Sequence, residues 1–163
     1  MAGTISVRYP LPVNVETAYA AISGVEWAPA KARALNDDST VVSRTESDGG
    51  AVTLVVSRKL PDGVPGFLQK FLPADGRVVQ TDTWGPSVDG VRSGTWVADT
   101  PGSPAKVHGT MRLEPSGSGC TYVVDGTAKV SIPLIGGKAE GFVVSVTEKL
   151  TAKEIEVLRD LVS

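Results

Sequence analysis

A chain of 163 residues is long enough for one domain with a proper core, and its 41% hydrophobic and 21% charged content excludes a chain disordered throughout. The 16 Lys and Arg against 18 Asp and Glu give a net charge of −2, without the basic excess that a duplex-binding protein needs. A single cysteine, Cys120, and a single histidine, His108, exclude intramolecular disulfides, cysteine-rich zinc cages and cysteine-ligated iron–sulfur clusters.

The first 60 residues divide into a strand, two short helices and a two-stranded hairpin. Ile5, Val7 and Tyr9 alternate with polar residues, which is typical of a half-buried strand, and Pro10 and Pro12 are expected to end it. Asn14 is a predicted helix cap, and the Asp-Gly-Gly sequence at 48–50 favours a tight turn because glycine tolerates a positive φ. The predicted ranges are 4–9 for the strand, 14–23 and 25–35 for the helices, and 39–46 and 51–60 for the hairpin.

The connection that follows, residues 61–73, is apolar for a link between strands. Pro65 is predicted to start one or two helical turns and Pro73 to stop them. Three interpretations stay open: a lid over the mouth of a cavity, a permanent plug of the core, or a surface that meets a membrane or a partner. The large apolar residues recur at a four-residue spacing, Phe67 with Phe71 and Leu68 with Leu72.

The rest of the chain continues as strands and closes with one long helix. Period-two patterns predict strands over about 76–85, 90–99, 105–115 and 119–132. Over 138–162 the pattern becomes helical, with an apolar stripe that needs the face of a sheet beneath it. We therefore predict a single α+β domain over 1–163. It consists of a curved antiparallel sheet of about seven strands, two short helices after the first strand, and a long C-terminal helix packed across the sheet.

Four passages carry a family resemblance. They read Val-Pro-Gly-Phe-Leu-Gln-Lys-Phe-Leu (64–72), Thr-Asp-Thr-Trp (81–84), Gly-Thr-Met-Arg-Leu-Glu-Pro (109–115) and Val-Ser-Ile-Pro-Leu-Ile-Gly-Gly-Lys-Ala-Glu (130–140). Together with the order of elements, they resemble the START-like superfamily, also called SRPBCC, which has the helix-grip fold, and an uncharacterised bacterial family of domains of unknown function within it. The resemblance covers almost the whole chain. It implies a cavity between sheet and C-terminal helix but no single activity, because lipid carriers, hormone receptors, polyketide cyclases and chaperone activators share the fold.

A cavity also follows from the predicted shapes, since a curved sheet and a straight helix cannot close on each other along their full length. The candidate lining residues are large apolar or aromatic side chains, for which the alternative is ordinary core packing. They are Trp27, Phe67, Phe71, Trp96, Met111, Tyr122, Phe142 and Val146.

Few residues outside this set point to chemistry. His108 falls in the polar, solvent-facing phase of its strand, and nothing near Cys120 marks a reactive thiol, so neither is assigned a role. The Gly-Gly-Lys sequence at 136–138 lacks the earlier glycine of a phosphate loop, so no nucleotide is expected there. We predict no catalytic residue, no metal and no cofactor.

Asp82 and Asp125 lie within predicted strands, where a charge is unexpected on the inner face. Asp82 would be a buried acid and a candidate general base if it shared an inward face with Trp84. The same alternation also permits a solvated outer face, which is the interpretation favoured for Asp82 and more strongly for Asp125.

The leading hypothesis is a non-enzymatic protein that binds a hydrophobic small molecule, such as a lipid, an isoprenoid or a polyketide-like compound. The first alternative is an enzyme of the polyketide cyclase/dehydratase type, which needs at least two polar groups converging inside the cavity. The second is a partner-binding or chaperone-regulating domain with an exposed apolar patch. Without a secretory signal or an 18-residue apolar stretch, we expect a cytoplasmic protein with no integral membrane association. The identity of the ligand and the oligomeric state stay open.

Overall fold

The structure is a computed structural model that describes residues 3–35, 40–60, 63–72 and 76–162. The strands are β1 Gly3–Leu11, β2 Thr40–Ser47, β3 Ala51–Lys59, β4 Arg77–Trp84, β5 Arg92–Asp99, β6 Ala105–Ser116 and β7 Gly119–Val130. The α-helices are α1 Val15–Ile22, α2 Trp27–Leu35 and α3 Gly136–Val162, and short 3-10 helices occupy Asp48–Gly50 and Gly66–Phe71. The seven strands form one antiparallel sheet in the order β1-β7-β6-β5-β4-β3-β2, which confirms the predicted helix-grip architecture.

Strand β1 continues through the proline that was predicted to end it. Pro10 lies opposite Thr121 of β7, and β1 is an edge strand of the sheet. The carbonyl of Pro10 accepts a hydrogen bond from Arg159 of α3 at 3.0 Å, so it faces the open side of the strand. The nitrogen of the same residue faces that side too, where a missing N–H disrupts no ladder bond. The prediction that Pro10 ends the strand is therefore wrong.

Local signals place the first helix and the hairpin turn as predicted. The side-chain oxygen of Asn14 accepts a hydrogen bond from the backbone N–H of Thr17 at 2.8 Å and caps α1. Gly49 and Gly50 have φ values of 76° and 77°, which side chains with a Cβ rarely adopt. The predicted strand start at 39 and the predicted helix stop at Pro73 lie outside the described residues.

The long helix α3 packs on β1 and β7 and on both short helices. Its 27 residues span roughly 40 Å at 1.5 Å per residue, enough to cross the whole sheet. Ile155 and Leu158 are almost fully buried in the main core, whereas Ala139, near the start of the helix, belongs to a second, smaller cluster. None of the helices in the described ranges combines the length and apolar character that crossing a membrane requires.

Candidate functional site

An open apolar cavity of about 140 Å³, here called the outer cavity, lies between the sheet, the 3-10 helix Gly66–Phe71 and the first half of α3. Among the described residues that line it, Arg58 is the one that carries a charge. Engineered cavities of about 150 Å³ with apolar walls bind benzene, so the outer cavity has room for a group of that size. Its main apolar walls are Leu68, Phe71, Val107, Val130, Phe142 and Val146.

The 3-10 helix Gly66–Phe71 covers the outer cavity without filling it. Leu68 is 7% exposed and packs in the cluster that contains Val130 and Ala139. Phe67 points the other way and is 40% exposed. The backbone N–H of Leu68 donates to the carbonyl of Pro65 at 2.9 Å, so the predicted start of this helical turn is confirmed.

A second space of about 60 Å³, here called the inner compartment, continues from the outer cavity towards α2. The two are adjacent because Arg58, Ala98, Thr147 and Leu150 line both of them. Four charged side chains line the inner compartment: Lys31, Arg58, Asp82 and Glu154. This concentration of charge separates it chemically from the apolar outer cavity.

Asp82 faces the inner compartment from β4. It shares the inward face of that strand with Val78 and Trp84, which are 4% and 2% exposed. Its Oδ1 accepts a hydrogen bond from Nε2 of Gln80 at 3.0 Å, and Oε1 of Gln80 accepts one from Nη2 of Arg58 at 3.2 Å. Burial raises the pKa of the Asp82 carboxyl above its ordinary value, and the positive charge of Lys31 opposes this shift.

The solvated interpretation of Asp82 is therefore wrong, although part of the residue stays accessible because it borders a cavity. The outward interpretation of Asp125 is confirmed, since its Oδ1 accepts a hydrogen bond from the Ser6 hydroxyl at 3.0 Å on the exposed face. His108 is exposed, as its phase in β6 predicted.

An ion pair between two helices closes one side of the inner compartment. Nζ of Lys31, on α2, lies 3.6 Å from Oε1 of Glu154, on α3. The same ammonium group lies 4.8 Å from the centre of the Trp27 ring, within the range of a cation–π interaction. Because these side chains are only 13% and 20% exposed, solvent screens the pair less than a surface ion pair.

Tyr122 lines the inner compartment from β7. Its ring lies 6.5 Å from that of Trp84, centre to centre. Burial raises the pKa of its hydroxyl well above the ordinary value, and the negative charges of Asp82 and Glu154 add to this shift. The phenol is therefore a neutral hydrogen-bond donor. Among the described residues, no group hydrogen-bonds to it.

A glycine of β7, Gly126, gives Trp96 its place in the wall of the inner compartment. Gly109 and Gly126 lie opposite each other on β6 and β7. A Cβ on Gly126 would lie 2.5 Å from Cζ2 of Trp96, so the indole can only rest on this part of the sheet where side chains are absent. The indole N–H donates to the carbonyl of Asp125 at 3.3 Å.

The structure brings seven of the eight predicted lining residues to these two spaces, and it places Phe67 outside both. Trp27, Trp96, Met111 and Tyr122 line the inner compartment, and Phe71, Phe142 and Val146 line the outer cavity. Whether these residues contact a ligand stays a prediction.

The sequence interpretation missed four polar lining residues, Lys31, Arg58, Gln80 and Glu154, and it favoured the outer face for the fifth, Asp82. A signal existed on the strands, because Arg58 follows Leu54 and Val56 in the buried phase of β3. Within the described ranges, no three His, Cys, Asp or Glu side chains cluster closely enough to hold a metal ion.

Sequence comparisons connect this chain to proteins without an assigned activity. The family described as "Protein of unknown function (DUF2505)" matches residues 4–162. Uncharacterized proteins of Mycobacterium tuberculosis (Rv0481c) and Mycobacterium bovis (Mb0491c) are each 26% identical to this chain over 120 residues, which is 72% of this chain and 69% of theirs.

Solved structures share the fold at low sequence identity. TTHA0849 from Thermus thermophilus has a TM-score of 0.64 and 15% identity, over 98% of this chain and 96% of that one. A point mutant of norcoclaurine synthase from Thalictrum flavum has a TM-score of 0.62 and 11% identity, over 99% of this chain and 94% of that one. Human STARD10 has a TM-score of 0.59 and 12% identity, over 95% of this chain and 62% of that one. These likenesses show the helix-grip fold alone.

Proposed function

The chain belongs to the DUF2505 family, and we propose that this member binds a small hydrophobic molecule in the outer cavity, with one end in the inner compartment. The observation that carries the proposal is the open, apolar cavity of about 140 Å³ beneath α3. Protein interiors are close-packed and leave few voids larger than a water molecule, so a purely structural core has no need of this space. A norcoclaurine synthase of the same fold was solved with dopamine and hydroxybenzaldehyde, which supports a ligand-binding role for such a scaffold.

The volumes favour a small ligand. An outer cavity of about 140 Å³ takes a benzene-sized group, and the inner compartment of about 60 Å³ takes a short polar or apolar extension. A small aromatic compound or a short isoprenoid fits these spaces. A lipid with two long acyl chains fits only if the 3-10 helix Gly66–Phe71 moves away.

The binding test compares two phenylalanine substitutions on neighbouring positions of β5. Ala98 lines both spaces, so Ala98→Phe fills their junction, whereas Val97 is 45% exposed and Val97→Phe adds bulk outside. We expect solvent extracts of the purified wild-type protein to contain a small hydrophobic compound detectable by mass spectrometry. We also expect p-xylene to shift amide NMR signals of residues around the outer cavity. Both results should persist in Val97→Phe and disappear in Ala98→Phe.

Two results would refute the binding proposal. One is a wild-type protein that retains no compound and does not respond to p-xylene. The other is equal p-xylene affinity in Ala98→Phe and Val97→Phe, which would place the binding outside the cavity.

An acid–base enzyme is the second candidate function, because polar groups do converge inside the cavity. Asp82 is positioned to remove a proton from a bound carbonyl compound, and the neutral Tyr122 hydroxyl lines the same compartment, where it can stabilise an enolate oxygen. Proton removal next to a carbonyl is the elementary step of cyclase and dehydratase chemistry of the polyketide type.

The enzyme candidate is tested by hydrogen–deuterium exchange at the methyl group of acetophenone in D₂O, followed by NMR. The Asp82 carboxylate takes a proton from the methyl carbon, and the resulting enolate takes a deuteron from the solvent. We expect the wild-type protein to accelerate exchange and Asp82→Asn to abolish the acceleration. If the wild-type protein leaves the exchange rate unchanged, the enzyme candidate is refuted and only the binding function remains.

The partner-binding alternative, which requires an exposed apolar patch, stays a prediction. Among the described residues, several large apolar side chains are exposed, but the four most exposed belong to four different segments of the chain. They are Val25, Val42, Val88 and Leu134.

A further inference from the structure

The charged inner compartment indicates which chemical group of a ligand it accepts, an inference that rests on the binding function proposed above. We infer that the ligand carries an uncharged hydroxyl group, which lies in the inner compartment while the apolar remainder lies in the outer cavity.

The charges of the inner compartment compensate one another. Lys31 and Glu154 form an ion pair at 3.6 Å, and Gln80 links Arg58 to Asp82 through hydrogen bonds of 3.2 and 3.0 Å. With all four groups ionised, two positive and two negative charges sum to zero. A charged ligand group would then be buried without a counterion, which costs much more than burial of a neutral polar group.

Asp82 and Tyr122 each offer a ligand a polar atom that has no hydrogen-bond partner among the described residues. Oδ1 of Asp82 accepts from Gln80, but among the described residues no donor reaches its Oδ2. The Tyr122 hydroxyl has no partner within the same ranges. An anionic acceptor and a neutral donor suit a hydroxyl group, which donates one hydrogen bond and accepts others. An ammonium group offers the phenol no acceptor, and a carboxylate repels Asp82.

The volume agrees with this division of the ligand. The inner compartment, at about 60 Å³, has room for a hydroxyl and its neighbouring carbon atoms, and it shares four lining residues with the outer cavity. The ligand class is therefore a small phenol or alcohol with an apolar body.

The experiment compares four ligands that share a p-tolyl body and differ in one substituent: p-xylene, p-cresol, p-toluate and 4-methylbenzylammonium. Dissociation constants are measured by NMR titration at pH 7. An apolar site of the same size would prefer p-xylene, because water solvates p-cresol better. We expect the reverse order, with p-cresol bound roughly tenfold more tightly than p-xylene and both ions bound more weakly than p-cresol.

Variants assign the preference to the inner compartment. We expect Tyr122→Phe and Asp82→Asn each to reduce the ratio of p-cresol to p-xylene affinity to about one or below. Tyr9→Phe is the matched control, because Tyr9 lies opposite Tyr122 on β1 but lines neither space, and it should keep the wild-type ratio. If Tyr122→Phe fails to fold, Asp82→Asn decides the outcome.

The possible outcomes separate this inference from the binding function. Tighter binding of p-xylene or of either ion overturns the inference and leaves the binding function intact. An unchanged ratio in both variants also overturns it, because the preference would then arise elsewhere. If none of the four compounds binds, the proposed function itself fails.

Discussion

Arg92 is a buried charge with several partners, and it lies away from both cavities. Its guanidinium donates to the two carboxylate oxygens of Glu16 at 3.2 Å and to the carbonyls of Gly49 and Gly85 at 3.0 and 3.2 Å. Its Cζ atom also lies 4.1 Å from the centre of the Tyr19 ring. One side chain thus joins α1 to the β2–β3 and β4–β5 turns.

We expect Arg92→Met to lower the free energy of unfolding by about 2 kcal/mol, because two backbone carbonyls lose their donor in a buried site. Glu16→Gln should cost less than about 1 kcal/mol, since the Glu16 side chain is 58% exposed and water replaces the lost partner. Urea unfolding of the two variants measures the difference. Equal losses would show that the ion pair, and not the carbonyl contacts, dominates.

The raised pKa of Asp82 makes the free energy of unfolding depend on pH. Burial holds the pKa of this carboxyl above its ordinary value of 3.8, so the native state binds the proton more tightly than the unfolded chain does. Ionisation of Asp82 therefore lowers stability as the pH rises from about 4 through the raised pKa, and the loss is constant above it.

Asp82→Asn should consequently be more stable than the wild type at neutral pH and equally stable near pH 3.5. The advantage should grow across the window that begins at about pH 4, because the amide never ionises. Urea unfolding at a series of pH values gives the difference curve. A difference that grows towards acid instead would mean that the native fold favours the charged form of Asp82.

At the scale of elements, the 3-10 helix Gly66–Phe71 combines an anchor with an exposed residue. Leu68 is buried against Val130 and Ala139, whereas its neighbour Phe67 is 40% exposed. We expect Leu68→Ala to cost about 2 kcal/mol and to speed hydrogen exchange of the helix, because the residue loses its packing beside a cavity. Phe67→Ala should change the stability by less than about 0.5 kcal/mol. Similar losses in both variants would mean that the turn packs differently.

Elements were predictable from the sequence where the signal is local. The cap at Asn14 and the positive-φ turn at Gly49 require only nearby residues, so the chain pattern identifies them. Pro10 was misjudged because its effect depends on whether β1 lies at the edge of the sheet, which local sequence does not specify. The period of two placed the strands correctly for the same local reason.

The candidate site was harder to predict because it is assembled from distant elements. Alternation assigns Asp82 and Trp84 to one face of β4 but does not say which face is inner. Glu154 interrupts the apolar stripe of α3 because Lys31 of α2 pairs with it, a contact that no helical period encodes. Long-range packing thus decides which polar residues enter the inner compartment.

Over the whole molecule, most of the main core and the outer cavity lie at different parts of the sheet. The main core includes the buried parts of α1 and the second half of α3, whereas the outer cavity borders the smaller cluster around Leu68, Val130 and Ala139. A small cluster beside a cavity contributes less burial than the main core. The end with the outer cavity is therefore expected to open locally before the rest of the molecule unfolds.

Ligand binding should stabilise the whole molecule by an amount that its affinity sets. At a free p-cresol concentration of 100 times its dissociation constant, we expect about 2.7 kcal/mol of added stability. The thermal midpoint should rise with concentration in the wild type and in Val97→Phe, and it should stay constant in Ala98→Phe, where the junction of the two spaces is filled. Differential scanning calorimetry measures the three midpoints. An equal rise in Ala98→Phe would mean that p-cresol acts at another surface, because a ligand stabilises only the state whose site it occupies.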